Sequence, residues 1–486
     1  MEKYIYKKEK LPVPVIEGKE EWVDFYYKAW EMVFDNIGYI EKEGWKPQLT
    51  CMPGVGIIWQ WDSCFMTFIT NYANGTITAL NNLDNLYRLQ REDGYISMAY
   101  RIDTEDQAYG GDQINPPLYS WVEYEAYSVS GDKARLAKVV PVIEKLYAHI
   151  ERTHKRLCGL YWYESVGSAG MDNSPRSGFY TDFKGSDVCF IDLACQQALS
   201  AKYLGKIFDV LGNSDKKKYY EDEHKRICSL VNKFHWSEKG KFYYDFFDHE
   251  NDFVSRLINT KTAASFWTLL SGVAKGERAA DVVAHMVNPE EFYTYIPFAS
   301  LSKDDLNYNS EGGYWLGGSW HPTNFAAVKG FKEAGYSRIA REASIKILDG
   351  MLETYKNPAY ASIWESYAPE APRPNTNKVG KFVRPNFVGW GGITPIAMLI
   401  EDIIGLRFEA QTNTVYYDIM PGKKSGLRNM HFNGGVISVE CTEYRTGVGN
   451  STVMVTTDKP LRLCLKTNYR EEFTVDVPAG KTEIKV

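Results

Sequence analysis

Apolar positions recur every three to four residues through most of this chain, then every two residues near its end. Over 20–40, Trp22, Phe25, Tyr26, Trp30, Val33, Phe34 and Ile37 form one apolar stripe, which predicts an amphipathic helix. The same period predicts helices over 63–73, 77–91, 118–130, 133–153, 187–211, 214–233, 261–274, 277–287, 323–334, 337–355 and 391–404. Short turns join several of them: Asn74-Gly75, Ser130-Gly131-Asp132, Leu211-Gly212-Asn213, Lys275-Gly276-Glu277 and Ala334-Gly335-Tyr336. Glycine ends a helix cheaply in the left-handed conformation, and a polar residue after it caps the next helix. These pairs read as helical hairpins. Their glycines fall at irregular intervals, unlike a tetratricopeptide-type array. Five hairpins, with 20–40 paired to 391–404 as a sixth, would close into an (α/α)6 toroid; an open curved array is the alternative.

After about residue 405 the period falls to two. Strands are expected over 415–417, 435–444, 451–457, 461–466, 472–477 and 482–486, with turns at Thr457-Asp458-Lys459-Pro460 and Pro478-Ala479-Gly480. The expected organisation is mainly α: an N-terminal arm 1–19, a helical domain 20–404, and a small antiparallel β-domain 405–486, sandwich-like and packed on the helices. Long segments separate the hairpins: 41–62, 93–117, 154–186, 234–260, 288–322 and 356–390. Loops of this length in a compact domain are usually functional. With the short turns at one end of the helices, the long loops gather at the other and make a pocket there.

Composition narrows the chemistry. The net charge of −6 argues against nucleic acid as the main partner. No run of about 18 apolar residues occurs, so no membrane span is expected. The N-terminal MEKYIYKKEKLPVPV has no apolar core of signal-peptide length. The eight cysteines form no CxxC pair, which fits free thiols in a reducing cytoplasm. There are 13 Trp, 34 Tyr and 23 Phe; aromatic faces suit the C–H faces of sugar rings, although a large helical core also consumes them.

Two carboxylates stand out. Asp172 lies in Gly170-Met171-Asp172-Asn173-Ser174-Pro175-Arg176, irregular backbone able to aim a side chain into a cavity. Glu365 lies in Trp364-Glu365-Ser366-Tyr367. Sugar hydrolysis needs one carboxyl group to give a proton and one to take one. Asp172 as acid needs a raised pKa; Glu365 as base would activate water on the opposite face. An Asx-turn aspartate and a surface glutamate are the plain alternatives. Asp62, in Trp59-Gln60-Trp61-Asp62, could hold sugar hydroxyls or cap a helix. Gly312–Trp320 is a glycine-loosened loop carrying Trp315 and Trp320. Trp364, Tyr367 and Trp390 join the candidate pocket. No Walker loop is present, and Gly447-Val448-Gly449 lacks dinucleotide-site context. No HExxH-type metal pairing occurs. No cofactor is expected, although Asp245, Asp248, Glu250 and Asp252 leave a structural Ca²⁺ open. A ring-shaped polysaccharide lyase or sugar epimerase, and an inactive sugar-binding protein, are rival readings.

The stretches Trp61–Phe65, Gln113-Ile114-Asn115-Pro116-Pro117, Gly170–Arg176, Gly313–Trp320, Trp364–Tyr367 and Phe387–Gly392 together resemble glycoside hydrolase family 63 with its mannosylglycerate and glucosylglycerate hydrolases, and more distantly the trehalases. The resemblance covers roughly 55–405. It implies an inverting α-glycosidase on an (α/α)6 toroid, acting on a small α-glucoside or α-mannoside, with Asp172 as acid and Glu365 as base. It implies Asp62, Trp61, Gln113, Arg176, Trp315 and Trp320 as pocket residues. Two departures stand out: Leu316 replaces an arginine found in many relatives, and Ile114-Asn115 displaces Gln113 from the Pro-Pro pair.

Overall fold

The structure is a computed structural model that describes residues 3–177, 187–248, 256–445, 451–467 and 470–486. Its helices are α1 (Glu20–Asp35), α2 (Gln60–Thr70), α3 (Leu80–Arg88), α4 (Tyr119–Ser130), α5 (Lys133–Thr153), α6 (Ile191–Leu211) and α7 (Ser214–Phe234). They continue as α8 (Trp267–Leu270), α9 (Gly276–Met286), α10 (His321–Glu333), α11 (Ser337–Lys356), α12 (Val388–Gly391) and α13 (Ile393–Ile404).

Sequence decides which helices go inside. Helix α6 buries nearly every residue and leaves only a narrow stripe, Lys202, Lys206 and Asp209, toward the surface. Its partner α7 carries Lys216-Lys217-Lys218 and buries only Tyr220, Ile227 and Val231. A helix apolar on all sides must be surrounded by protein; one with a single stripe sits outside. The buried helices contact one another in series: α2 with α4, α4 with α6, α6 with α8, α8 with α10, α10 with α13, and α13 with α2. The more polar α5, α7 and α11 pack outside this series. Gly131 and Gly212 end α4 and α6 at φ 75° and 80°, and the Asp132 and Asn213 side chains cap α5 and α7 by accepting from Arg135 N and Lys216 N.

Three expectations change. The segment 261–274 holds only a 3₁₀ turn (Ala263–Phe266) and one turn of α-helix, broken at Gly272, which has φ 75°. The last helix divides: α13 is wide, and Gly405 N–H reaches five residues back to Ile400 O. Pro395 lies in its first turn and lacks an N–H for the tighter ladder. The N-terminal arm is not separate, because Val13–Ile16 pairs antiparallel with Ser425–Arg428.

The C-terminal region has two sheets. One orders Val13–Ile16, Ser425–Phe432, Gly435–Cys441, Thr452–Thr457 and Gly480–Lys485. The other orders Leu406–Glu409, Thr414–Asp418, Leu461–Thr467 and Arg470–Val477. It is not wholly antiparallel: Thr414–Asp418 runs parallel to Arg462–Lys466. This region meets the short-turn end of the helices, where Asn433 N donates to Val129 O and Asn74 Nδ2 donates to Asn429 O. The opposite end belongs to the long loops.

Candidate active site

A cavity of about 580 Å³ opens among the long loops. Trp59, Trp61, Asp62, Gln113, Asp172, Trp315, Trp320, Glu365 and Trp390 line it, nine of the residues singled out from the sequence. A second cavity of about 490 Å³ lies between the helices and the β-region; none of those residues lines it.

Irregular loops are held here by asparagine side chains. Asn115 accepts from Trp61 N at 3.1 Å and donates to Ser168 O at 2.9 Å, tying the start of α2 to the loop before Asp172. Asn173 donates to Gly313 O at 3.0 Å and accepts from Trp315 N at 2.9 Å, fixing Asp172 against the tryptophan loop. Asn375 donates to Tyr314 O at 3.0 Å and to Ser366 Oγ at 2.8 Å, joining that loop to the Glu365 segment. An amide offers a donor and an acceptor, so one side chain can bridge two strangers.

The aromatic wall is continuous. Trp315 and Trp320 stack with centroids 4.1 Å apart. Trp390 meets Trp320 at 5.9 Å and Trp61 at 5.8 Å, both edge-on. Gly170, at φ 77°, lies so close to Trp61 that a Cβ there would come within 2.3 Å of the indole.

The carboxyl groups differ in their surroundings. Glu365 is 7% exposed. Burial raises its pKa, opposed by the Tyr314 hydroxyl, which donates to Oε1 at 2.9 Å. Arg384 N also donates to Oε2 at 3.4 Å, and Trp390 Nε1 holds the Glu365 carbonyl at 2.9 Å. Asp172 stands open to the cavity, yet the loss of surrounding water raises its pKa, with Lys378 pulling the other way. Asp62 is 5% exposed and sits in the first turn of α2. Burial pushes its pKa up to about 7 against a hydrogen bond from the Cys51 thiol, and the Glu365 and Asp172 charges push the same way as burial.

Three predicted pocket residues do not line the cavity. Arg176 is fully buried behind the Asp172 loop, bidentate to Asp192 (2.6 and 2.9 Å) and to Asp245 (2.7 and 2.7 Å). Asp245 also accepts from Ile191 N, so Arg176 pins this loop to the start of α6. Trp364 points away from the cavity: its indole donates to Tyr360 O and packs on Phe382. Tyr367 is buried against His321. Both oxygens of Asp245, one of the residues considered for Ca²⁺, are taken by Arg176, and Asp248 accepts from Arg156 at 3.0 Å. Glu250, Asp252 and Gly447-Val448-Gly449 lie outside the described residues.

The cavity also holds residues not anticipated: Tyr314, Lys378 and Arg384. Tyr314 lies inside the glycine-loosened loop already noted, at φ 69°. Lys378 and Arg384 carried no signal beyond their charge. Neither has an ion pair among the described residues.

Residues 57–378 match the mannosylglycerate hydrolase MGH1-like glycoside hydrolase domain. The chain belongs to this family. It is therefore a glycoside hydrolase, not a lyase or epimerase. An uncharacterised protein of Borreliella burgdorferi is 25% identical, covering 95% of this chain and 96% of its own. The family 63 mannosylglycerate hydrolase of Thermus thermophilus, solved with glucose, superposes at TM-score 0.61 with 17% identity, over 76% of this chain and 99% of that one; the same enzyme has been solved with Tris and D-glycerate. An α-L-rhamnosidase from Dictyoglumus thermophilum superposes at TM-score 0.62 with 13% identity, over 98% of this chain and 50% of that one. At these identities the two solved enzymes share the fold. No described helix is long and apolar enough to cross a membrane.

Proposed function

We propose that this hydrolase is an exo-acting, inverting α-glycosidase for a small α-glucoside or α-mannoside with an anionic leaving group. The observation that carries the reading is the entry of Asp172 and Glu365, from loops far apart in sequence, into one tryptophan-walled cavity. Asp172, whose pKa the loss of surrounding water raises, gives its proton to the glycosidic oxygen. Glu365 accepts from Tyr314 Oη and Arg384 N. Hydrogen bonds to a carboxylate favour its charged form, so Glu365 takes the base role and draws a proton from water attacking the opposite face of the sugar. The buried α2 and α10 begin at the cavity, and their N-terminal ends favour anionic side chains there.

Asp62 in this reading holds sugar hydroxyls, with Trp61, Trp315, Trp320 and Trp390 packing on the ring. Lys378 and Arg384 add two positive charges to the cavity; their fields reach Asp172 and Glu365, but neither forms a direct ion pair with a carboxylate of the described residues. That supports a leaving group bearing a carboxylate, of which D-glycerate on the Thermus enzyme is an example. The series of helix contacts that returns from α13 to α2 supports an (α/α)6 toroid. Eight free cysteines support a reducing cytoplasm.

The test is proton NMR from the earliest time point on a panel of α-linked disaccharides and glycosylglycerates, with Glu365→Gln as control. The β-anomer appears first, and only with the native chain. If the α-anomer comes first, single displacement is refuted. Lys378→Met raises KM for a glycosylglycerate and leaves KM for a neutral disaccharide unchanged. An equal effect on both substrates removes the anionic leaving group from the reading.

A further inference from the structure

Away from the cavity, Cys158 Sγ, Cys189 Sγ and a carboxylate oxygen of Asp248 all lie within 4.8 Å of one another. The two sulfurs are 3.7 Å apart. Zinc bound tetrahedrally by thiolates at about 2.3 Å sets its sulfurs about 3.75 Å apart. We propose that Cys158, Cys189 and Asp248 bind one thiophilic divalent cation, Zn²⁺ in type, with a fourth position left for water.

The backbone brings the ligands together without the ion. Cys189 belongs to the short strand Val188–Cys189, paired with Phe246–Phe247, and Asp248 N donates to Asp187 O at 2.9 Å. Cys158 sits in a turn closed by Gly159 N to Arg156 O at 2.9 Å and Arg156 N to Leu160 O at 2.8 Å. Arg156 donates to Asp248 Oδ2 at 3.0 Å and also to its backbone carbonyl. It thereby fixes one oxygen of the carboxylate, the role a supporting partner plays around a metal. Cys158 is half-buried, which gives the ion a way in, whereas Cys189 is buried.

Charge and ligand type select the ion. Two thiolates and a carboxylate carry −3, which a divalent cation largely offsets beside Arg156, itself shared with Asp187. Two protons leave the thiols for solvent on binding. Sulfur ligands disfavour Ca²⁺ and Mg²⁺, which prefer oxygen. Cys158 and Cys189 bracket the stretch that contains Asp172 and Arg176, so the ion would close that loop at its base. The inference does not depend on the glycosidase reading.

The test uses the full chain, reduced and stripped of metal, titrated with Co²⁺ while thiolate-to-cobalt charge transfer is followed in the near ultraviolet, then with Zn²⁺ as competitor. One Co²⁺ per chain is expected, displaced by one Zn²⁺, with the band unchanged in Cys228→Ser. Cys158→Ser, at the half-buried position, weakens Zn²⁺ binding by roughly a hundredfold or more, and Cys158→Ser/Cys189→Ser abolishes the band. Zn²⁺ raises the Tm of the native chain and not of Cys158→Ser. The absence of a charge-transfer band in the native chain overturns the proposal, and so does a band as strong in Cys158→Ser as in the native chain.

Discussion

Asp62→Asn should stabilise the protein at alkaline pH and much less at acid pH. Folding raises the pKa of the Asp62 carboxyl from 3.8 to about 7. A carboxyl whose folded pKa lies above its unfolded value keeps its proton longer in the folded state. Between about pH 4 and pH 7 the folded chain therefore binds more protons than the unfolded one, and stability falls as pH rises through that window. Each tenfold change in a group's proton affinity on folding is worth about 1.4 kcal/mol. Relative to the acid limit, the Asp62 carboxyl thus lowers stability by about 4 kcal/mol at pH 8.5, where both states have lost the proton, and by about 2 kcal/mol at pH 5, where only the unfolded state has largely lost it. Asparagine keeps the shape without the ionisation. Denaturant unfolding of native and Asp62→Asn chains at pH 5 and pH 8.5 reads the difference directly. A gain about 2 kcal/mol larger at pH 8.5 is expected. Equal gains at both pH values, or none, refute the reasoning and return Asp62 to an ordinary surface pKa. On the proposed role of Asp62 in holding sugar hydroxyls, the variant should also lose sugar affinity.

Four further outcomes follow from the geometry. Glu365→Gln and Asp172→Asn each cut kcat by about 10² to 10⁴ without unfolding the chain, as read by initial rates and circular dichroism. The kcat/KM profile should fall on the acid side as Glu365 gains its proton and on the alkaline side as Asp172 loses one; Asp172→Asn abolishes the alkaline limb. Arg176→Met leaves Asp192 and Asp245 buried without a cation and should cost about 3–5 kcal/mol in denaturant unfolding. Gly170→Ala drives a Cβ into Trp61 at a left-handed backbone position and should raise KM, lower kcat and lower Tm together, as read by initial rates and thermal melting.

The helices were legible because a 3.6-residue period survives any tertiary arrangement, and because glycine and cap residues mark the turns. The strand Ser425–Phe432 was missed: Gly426, Arg428 and Asn429 break its alternation, and a register shift between Leu427 and Met430 breaks the period itself. Val13–Ile16 was missed for another reason. It pairs with a strand some four hundred residues away, and local pattern carries no trace of a partner so distant. Arg176 misled because an arginine in an active-site motif reads as a ligand contact. Nothing near it in sequence announces Asp192 and Asp245, which convert it into a buried brace. Trp364 and Tyr367 misled by adjacency: the pairing of Ser366–Tyr367 with Ser319–Trp320 turns Glu365 inward and its neighbours into the packing behind.

The cavity sits where regular structure ends, and that raises the question of what keeps it rigid. Loops without ladder hydrogen bonds lose the usual means of fixing side chains to a fraction of an ångström. Here amide side chains take over the ladder's work. From Trp61 the path runs through Asn115 to Ser168, from Asn173 to Gly313 and Trp315, and from Tyr314 through Asn375 to Ser366, one residue from Glu365. Asn115 and Asn173 use both ends of their amides, whereas Asn375 donates twice and its Oδ1 has no partner among the described residues. That atom lies 1.8 Å from where a Cβ at Gly312 would stand, so the glycine is needed to make room for the clamp. The glycines and asparagines of these loops therefore have a common purpose: glycines let the loops approach, and asparagines lock them where they meet. Catalytic carboxylates alone would be common to many sequences; carboxylates embedded between such pairs of spacer and lock are what a preorganised site requires.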